Sequence, residues 1–258
     1  MSNAIDCDFT VQGSGPALFL THGIGAAKNA WRFMISELSK HFTVVTYDLR
    51  GHGKSPVTNK NFTLEDLVLD LEKIREKTNI EKGHFMGHSL GGMIAPAYAK
   101  KFPNRVLSVG LLSTVAGRSE EDRNNVLKII SEMESSGIER TLQKLTTRWF
   151  TDKFISENPD LVKNRLKQVV DTDPEVFLNV FKIYANTEMI SWLKNLSSPC
   201  LLMTGENDAG CSPEHNKKMS NELKNSKLVV LPKYKHSFLI EAPAEVSKNI
   251  IQFIKNIK

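Results

Sequence analysis

The stretch His84-Phe-Met-Gly87-His-Ser89-Leu-Gly91-Gly92 decides how the rest of the chain is read. His84-Phe-Met has the length and apolarity of a short buried strand, and Ser89 to Lys101 reads as a helix. Between them lies Gly87-x-Ser89-x-Gly91. A turn this tight holds Ser89 in a strained backbone geometry, and a side chain at Gly87 or Gly91 would collide with the turn. The serine oxygen then stands free at the end of the strand. The helix that opens here aims backbone N–H groups at the same spot. Ser89 is therefore the candidate nucleophile.

Working outward, the flanking segments alternate. Phe9-Thr-Val-Gln-Gly-Ser-Gly reads as a strand ending in a glycine-rich turn. Ala17-Leu-Phe-Leu-Thr-His, Phe42-Thr-Val-Val-Thr-Tyr and Val106-Leu-Ser-Val-Gly-Leu-Leu are apolar runs suited to buried strands. Trp31, Met34, Ile35 and Leu38 mark a helix over 29–40. A second helix opens at Thr63, with Leu64, Leu67, Val68, Leu71 and Ile74 as its stripe. This rhythm predicts an α/β fold, a mostly parallel sheet with helices on both faces. From 117 to 195 the pattern is helical throughout, with helices predicted over 126–134, 138–150, 159–170 and 175–184. Strand and helix resume at Cys200-Leu-Leu-Met-Thr and Leu228-Val-Val-Leu, with a last helix from Ala244. The division is thus a core formed by 1–116 and 196–258, and a helical cap formed by 117–195.

A nucleophilic serine needs a base, and the base needs an orienting acid. His236, in Pro232-Lys-Tyr-Lys-His-Ser-Phe, follows the last strand. Asp208, in Thr204-Gly-Glu-Asn-Asp, follows the strand before it. Glu206 is the rival acid, and its position nearer the strand favours a structural role. The backbone N–H of Leu90, next after Ser89, is one donor for a developing oxyanion. The N–H of Ile24 in Thr21-His22-Gly23-Ile24-Gly25 is the other, because glycines let the backbone approach a substrate. His22 stands beside this oxyanion loop and is expected to shape it, and His22 and Gly23 are also expected against the substrate. His84 and His88 have the i, i+4 spacing of a metal pair, but they flank a strand–turn junction and no metal site is expected. His52 reads as part of a turn, and His41 and His215 as surface residues.

Charge and composition remove other functions. The 258 residues carry 34 Lys+Arg and 29 Asp+Glu, a net charge of +5. The surplus sits in 213–258, with nine lysines and four glutamates at helical spacing, whereas 117–195 is nearly neutral. That is a solvated face rather than a nucleic-acid footprint, which needs clustered Arg and Lys with aromatics or a known motif. Gly51-His-Gly-Lys-Ser lacks the first glycine of a phosphate loop, where Asp48 stands. Three cysteines give no disulfide framework and point to a reducing, cytoplasmic setting. No run is long and apolar enough for a membrane span, and the first eight residues lack the basic and apolar stretches of a signal peptide.

Thr21-His-Gly-Ile-Gly25, Tyr47-Asp-Leu-Arg-Gly-His-Gly-Lys-Ser-Pro56, Gly87 to Gly92, Thr204 to Asp208 and His236-Ser-Phe together resemble the α/β-hydrolase superfamily, in its order and over nearly the whole chain. The resemblance implies a mostly parallel, eight-stranded sheet, a cap above the site and a Ser89–Asp208–His236 triad. A serine nucleophile excludes the haloalkane dehalogenase branch, which uses Asp. In the cap, Arg148-Trp149-Phe-Thr, Phe154, Asn158-Pro159 and Val162 are similar to 3-oxoadipate enol-lactonases, which makes Arg148 and Trp149 substrate-binding candidates. Arg118 is a further candidate for a substrate carboxylate. The segment 174–185 departs from those enzymes. The expected activity is hydrolysis of a small carboxylic ester or lactone through an acyl-enzyme, with no cofactor and a small-molecule substrate. Monomer and homodimer both remain open. Other activities of this fold are C–C bond hydrolysis of vinylogous diketones, perhydrolase or lyase chemistry, and a slow-turnover, hormone-receptor-like binding function. The C–C hydrolases usually have Asn before the serine, where this chain has His88.

Overall fold

Leu18 and Leu20 face one side of a sheet and Phe19, between them, faces the other; none of the three is exposed to solvent. A strand buried on both faces needs helices on both, and the chain supplies them in sequence. A computed structural model describes residues 3–257. Met1, Ser2 and Lys258 lie outside the described residues, so the first two positions of the segment read for a signal peptide and the last lysine of the basic segment are not covered.

The chain runs through β1 (Phe9–Gln12), β2 (Ala17–Thr21), α1 (Arg32–Leu38), β3 (Thr43–Tyr47), α2 (Leu64–Lys77), β4 (Gly83–His88), α3 (Gly91–Lys101) and β5 (Val106–Leu112). Six helices follow: α4 (Glu120–Ser136), α5 (Ile138–Trp149), α6 (Asp152–Glu157), α7 (Pro159–Val170), α8 (Pro174–Asn186) and α9 (Ile190–Leu193). The chain returns to the sheet with β6 (Cys200–Gly205), α10 (Pro213–Glu222), β7 (Ser226–Leu231), α11 (Phe238–Glu241) and α12 (Pro243–Lys255). The strand order is β1-β3-β2-β4-β5-β6-β7, with only β1 antiparallel to its neighbour. Among the described residues the sheet has seven strands rather than the eight that the resemblance implied. Among the described residues Phe9 to Gln12 is the single strand before β2, and β1 is the edge of the sheet.

One face packs Phe19, Phe85 and Tyr98 with α2, α3 and the 120–193 helices. The other packs Leu18, Leu20, Met86 and Leu201 with Met34 and Leu38 of α1 and Val246 and Ile250 of α12. Thr63 caps α2 reciprocally with Asp66, and Ser119 caps α4 with Asp122. The helical block has its own stripes. Val176, Phe177, Val180 and Tyr184 of α8 are buried, as are Leu142 and Leu145 of α5. Helices α6 and α9 are too short to show a period of their own, and neither is predicted from sequence. No helix among the described residues is long and apolar enough to cross a membrane.

The segment between β3 and α2 is anchored by a buried ion pair. Arg50 Nε and Nη2 donate to Asp70 Oδ2 and Oδ1, each at 2.7 Å, and the Ile5 N–H donates to Oδ1 at 2.8 Å. Removing one member of such a pair leaves the other charge buried and alone. Asp70→Ala is expected to lower unfolding stability by about 3–5 kcal/mol. Urea denaturation measures this, and a change below about 1 kcal/mol, the size of an exposed pair, would contradict it.

Candidate active site

Ser89 has φ +57°, the left-handed region that a residue with a side chain rarely enters. The glycines around it explain why the turn closes. A Cβ on Gly87 would lie 1.9 Å from the Gly91 carbonyl oxygen, and one on Gly91 would lie 2.3 Å from that of Thr21. The Ser89 N–H donates to Leu112 O at 2.8 Å, and the Gly92 N–H donates to Ser89 O at 2.9 Å. Strand β4, helix α3 and the end of β2 thus meet at one residue. A Cβ on Gly23 would lie 2.9 Å from Ser89 Cβ, so the loop after β2 lies directly against the serine.

Strands β6 and β7 are parallel neighbours, with Gly205 opposite Leu231 at their ends. The loops that leave them are therefore adjacent, and the Asn207 N–H donates to Tyr234 O at 2.9 Å between them. His236 Nδ1–H donates to Asp208 Oδ2 at 2.8 Å. Asp208 is 2% exposed. Burial alone would raise its pKa, but the His236 charge and the donors around it hold it well below the usual carboxylate range. Burial alone would lower the His236 pKa, and the Asp208 carboxylate overrides this and raises it. Glu206 is exposed and accepts the Lys233 N–H at 2.8 Å, away from the imidazole. Ser89 and His236 line the same cavity without a hydrogen bond between them among the described residues. In unliganded sites such contacts are often long.

Two further side chains hold the couple, and sequence reasoning assigned neither to it. Ser113 Oγ donates to Asp208 Oδ2 and lies 3.1 Å from His236 Nδ1. Ser113 sits just past β5 at φ +46°, and the signal for it is only that β5 and β6 are neighbours. His88 Nε2–H donates to His236 O at 2.9 Å, with the two rings 4.9 Å apart. Burial pushes the His88 pKa down to about 3, so His88 is a neutral donor.

The loop after β2 is held by two buried histidines. The Leu49 N–H donates to His22 Nε2 at 2.9 Å, so the proton is on Nδ1, which donates to Gly23 O at 2.8 Å. The Gly25 N–H donates to His52 Nε2 at 3.2 Å, and His52 Nδ1–H donates to Arg50 O at 3.1 Å. This corrects two expectations. His22 is wholly buried and does not line the cavity, because both ring nitrogens are taken by backbone. His52 is more than part of a turn: it grips the loop beside Ser89.

The cavity has a volume of about 520 Å³. Gly23, Ile24, Ser89, Trp149, Arg148 and His236 all border it. Its lining has apolar surface from Val126, Ile129, Leu145, Phe177 and Phe181, and polar groups from Arg32, Arg148, Arg165, Asn29, Asn164 and Gln168. Asp208 is its only acidic lining residue. Arg118 is not in the lining: it donates to Tyr184 O at 3.0 Å and lies over the Tyr184 ring at 4.3 Å. Leu90 is fully buried and is not among the residues that border the cavity, although its neighbour Ser89 is.

Asp208, Cys211 and His236 bring one potential metal-ligand atom each within 4.8 Å of one another. Asp208 Oδ1, however, accepts the Gly210 and Cys211 N–H groups at 3.1 and 3.0 Å, and Oδ2 accepts Ser113 and His236. An ion at this cluster would have to displace those donors, and it would also have to deprotonate a thiol whose pKa burial raises.

A mostly parallel sheet, with a serine on a strand-to-helix turn and an Asp–His couple at neighbouring strand ends, is the plan of a hydrolytic α/β enzyme. The chain belongs to the α/β-hydrolase fold family, whose pattern matches residues 16–243. It is 28% identical over 245 residues to 3-oxoadipate enol-lactonase 1 of Acinetobacter baylyi, covering 95% of this chain and 91% of that one. It is 25% identical to (E)-2-((N-methylformamido)methylene)succinate hydrolase of the same organism, over 96% of this chain and 94% of that one. A thermophilic esterase of Thermogutta terrifontis, solved with malate bound, superposes with a TM-score of 0.89 at 25% identity, over 98% of this chain and 94% of that one.

The histidine clamp gives a spectroscopic prediction. Burial lowers His52 to about 4 and His22 well below its ordinary value. At pH 6 both rings are expected neutral with the proton on Nδ1. Nitrogen-15 spectra of the imidazoles check this, and an imidazolium or an Nε2–H signal from either would overturn the assignment.

Proposed function

We propose that this chain is a serine hydrolase that cleaves a small carboxylic ester or lactone through an acyl-enzyme. The observation that carries the reading is the hydrogen-bonded Asp208–His236 couple on the cavity that Ser89 also borders. Ser89 Oγ attacks the carbonyl carbon while His236 Nε2 takes its proton. Asp208 keeps Nδ1–H in place and stabilises the imidazolium. The oxyanion is met by the N–H groups of Ile24 and Leu90. In support, neither N–H has a hydrogen-bond acceptor among the described residues, and Leu90 stands at the N-terminus of α3, where the helix dipole favours negative charge. His236 returns the proton to the leaving oxygen, which departs as an alcohol or, from a lactone, stays on the acyl chain as a hydroxyl. Water then attacks the acyl carbon and gives its proton to His236, which passes it to Ser89 Oγ as the Oγ–acyl bond breaks and the acid leaves.

The lining supports a substrate with a carboxylate. Three arginines border the cavity against one acid that is already paired, and Arg148 is exposed, with no ion-pair partner among the described residues. Of the three relatives, one is an enol-lactonase of 3-oxoadipate, one a hydrolase of a substituted succinate, and one an esterase solved with malate bound. The reading is therefore of a compact ester or lactone whose carboxylate meets Arg148, with its chain against Trp149 and the apolar lining.

The decisive experiment is fluorophosphonate labelling together with a steady-state screen of short esters and lactones. Wild type is expected to label and turn over, and Ser89→Ala to do neither while keeping its fold. Equal labelling of Ser89→Ala would remove the assignment. Asp208→Asn is expected to lower kcat by about 10³–10⁴-fold, and unchanged activity would point to another acid. The pH profile follows from the direction of the His236 shift. Only the neutral imidazole accepts the proton, and Asp208 raises its affinity for one above the ordinary value of 6.5. The rate kcat/KM should therefore rise with pH along a limb centred above 6.5. A limb centred below that value would contradict the coupling.

A further inference from the structure

Arg165 has an unusual environment for a guanidinium. It lies on α7, one of the helices between β5 and β6, and borders the cavity. Its Nη1 donates to Gly25 O at 2.6 Å and its Nη2 to Ile24 O at 3.0 Å. The guanidinium lies over the Trp149 ring at 5.5 Å. Among the described residues no carboxylate pairs with it. Burial lowers its pKa to about 10, so it remains charged at neutral pH. Arg165 is half-buried, and a partly desolvated cation without a counter-charge needs other polar partners. Here both of its end nitrogens are committed to two consecutive carbonyls of a single loop.

That loop is the one that carries the Ile24 N–H. Its other contacts come from the core: His52 takes the Gly25 N–H and His22 takes the Gly23 carbonyl. Gly25 has φ +58°, and a Cβ there would lie 2.8 Å from Phe177 Cε2 of α8. The core thus fixes the loop from beneath, while α7 and α8 fix it from above. The planar fork of arginine holds two nitrogens at a fixed spacing, one for each of the two adjacent carbonyls, whereas a lysine has a single flexible nitrogen.

We propose that Arg165 is a positioning residue for the reaction: through its two hydrogen bonds to the Ile24 and Gly25 carbonyls it sets the Ile24 N–H in the oxyanion-binding orientation, so that docking of α7 on the core and completion of the oxyanion site are one event. The inference rests on the ester-hydrolase reading. It differs from a role for Arg165 as a receptor for the substrate carboxylate, because it acts on the transition state of every substrate, charged or neutral.

The test uses a neutral short ester, p-nitrophenyl acetate, and a trifluoromethyl ketone that forms an oxyanion on Ser89. Arg165→Gln is expected to lower kcat on the neutral ester by about 10–100-fold with KM nearly unchanged. The trifluoromethyl ketone should bind more weakly by a similar factor, as a transition-state analogue must. Arg165→Lys keeps the charge but not the fork, and is expected to fall between Arg165→Gln and wild type. It also carries the test if Arg165→Gln fails to fold, which a thermal melt would reveal. Wild-type kcat and inhibitor affinity on neutral ligands in the folded variants would overturn the proposal. So would a defect confined to carboxylate-bearing esters, which would make Arg165 a substrate receptor. If wild type neither labels nor turns over any ester, the hydrolase reading itself falls and takes this inference with it. Labelling of wild type together with fully active Arg165 variants removes the inference alone.

Discussion

Ser89 is held at φ +57°, and the space that this turn needs sets the rest of the site. A non-glycine residue in the left-handed region is strained by about 1–3 kcal/mol. Such a backbone persists only where its surroundings leave no alternative. Here the Leu112 carbonyl holds the serine N–H, and the Gly92 N–H holds the serine carbonyl. The Gly91 backbone fits against Thr21 only because Gly91 has no side chain. This closeness draws the end of β2 over the start of α3. The loop that continues from Thr21 therefore runs beside the serine, and Gly23 is a contact forced by the turn.

A loop brought that close to the sheet end is buried, and its peptide groups need partners other than water. The core satisfies those nearest to it with imidazoles. His22 and His52 are neutral rings with Nδ1–H pointing to a carbonyl and Nε2 accepting an N–H, so each joins two backbone segments that share no strand or helix. The segment they reach, Leu49 to His52, is itself tied to α2 by the Arg50–Asp70 pair. The carbonyls of Ile24 and Gly25 point away from the core, and Arg165 meets them from α7. Among the described residues the Ile24 N–H has no acceptor. An N–H left open between bonded carbonyls at 23, 24 and 25 and bonded N–H groups at 25 and 26 is what an oxyanion donor requires, because it needs little reorganisation when charge develops.

The parts of this arrangement that were legible in the sequence are those governed by short-range rules. Glycines at 87 and 91 around Ser89 declare the turn because the steric conflict lies within five residues. The two-sided strands declare the sheet, and the helical stripes of α4, α5, α7 and α8 are periodic enough to be read. Asp208 and His236 could be proposed together because each follows a strand late in the chain. Ser113, His52 and Arg165 could not, since each acts through a partner 27 or more residues away that no local pattern names. His22 shapes the loop as expected, but the expectation that it would also meet the substrate failed for a related reason. A histidine beside a glycine-rich loop looks the same in sequence whether its ring faces the cavity or the core, and the Leu49 N–H decides it. The eighth strand came from the resemblance rather than from these residues, and the N-terminal segment before β2 holds only β1.

The distribution of charge separates two functions that one arginine could not serve equally well. In the proposed reaction a cation that holds a substrate carboxylate does so before and during the chemistry, which lowers KM and leaves kcat largely untouched. Arg148 is placed for that: it is exposed at the cavity and comes from α5. Arg165 spends one N–H of each end nitrogen on the loop, which ties the position of its guanidinium to the Ile24 and Gly25 carbonyls. Its charge and its hydrogen bonds act on the orientation of an N–H whose contact strengthens only as the carbonyl oxygen becomes an anion. The helical segment between β5 and β6 would then contribute to affinity through α5 and to rate through α7. A change of substrate could be accommodated at Arg148, Trp149 and the apolar lining without disturbing the carbonyls that Arg165 holds.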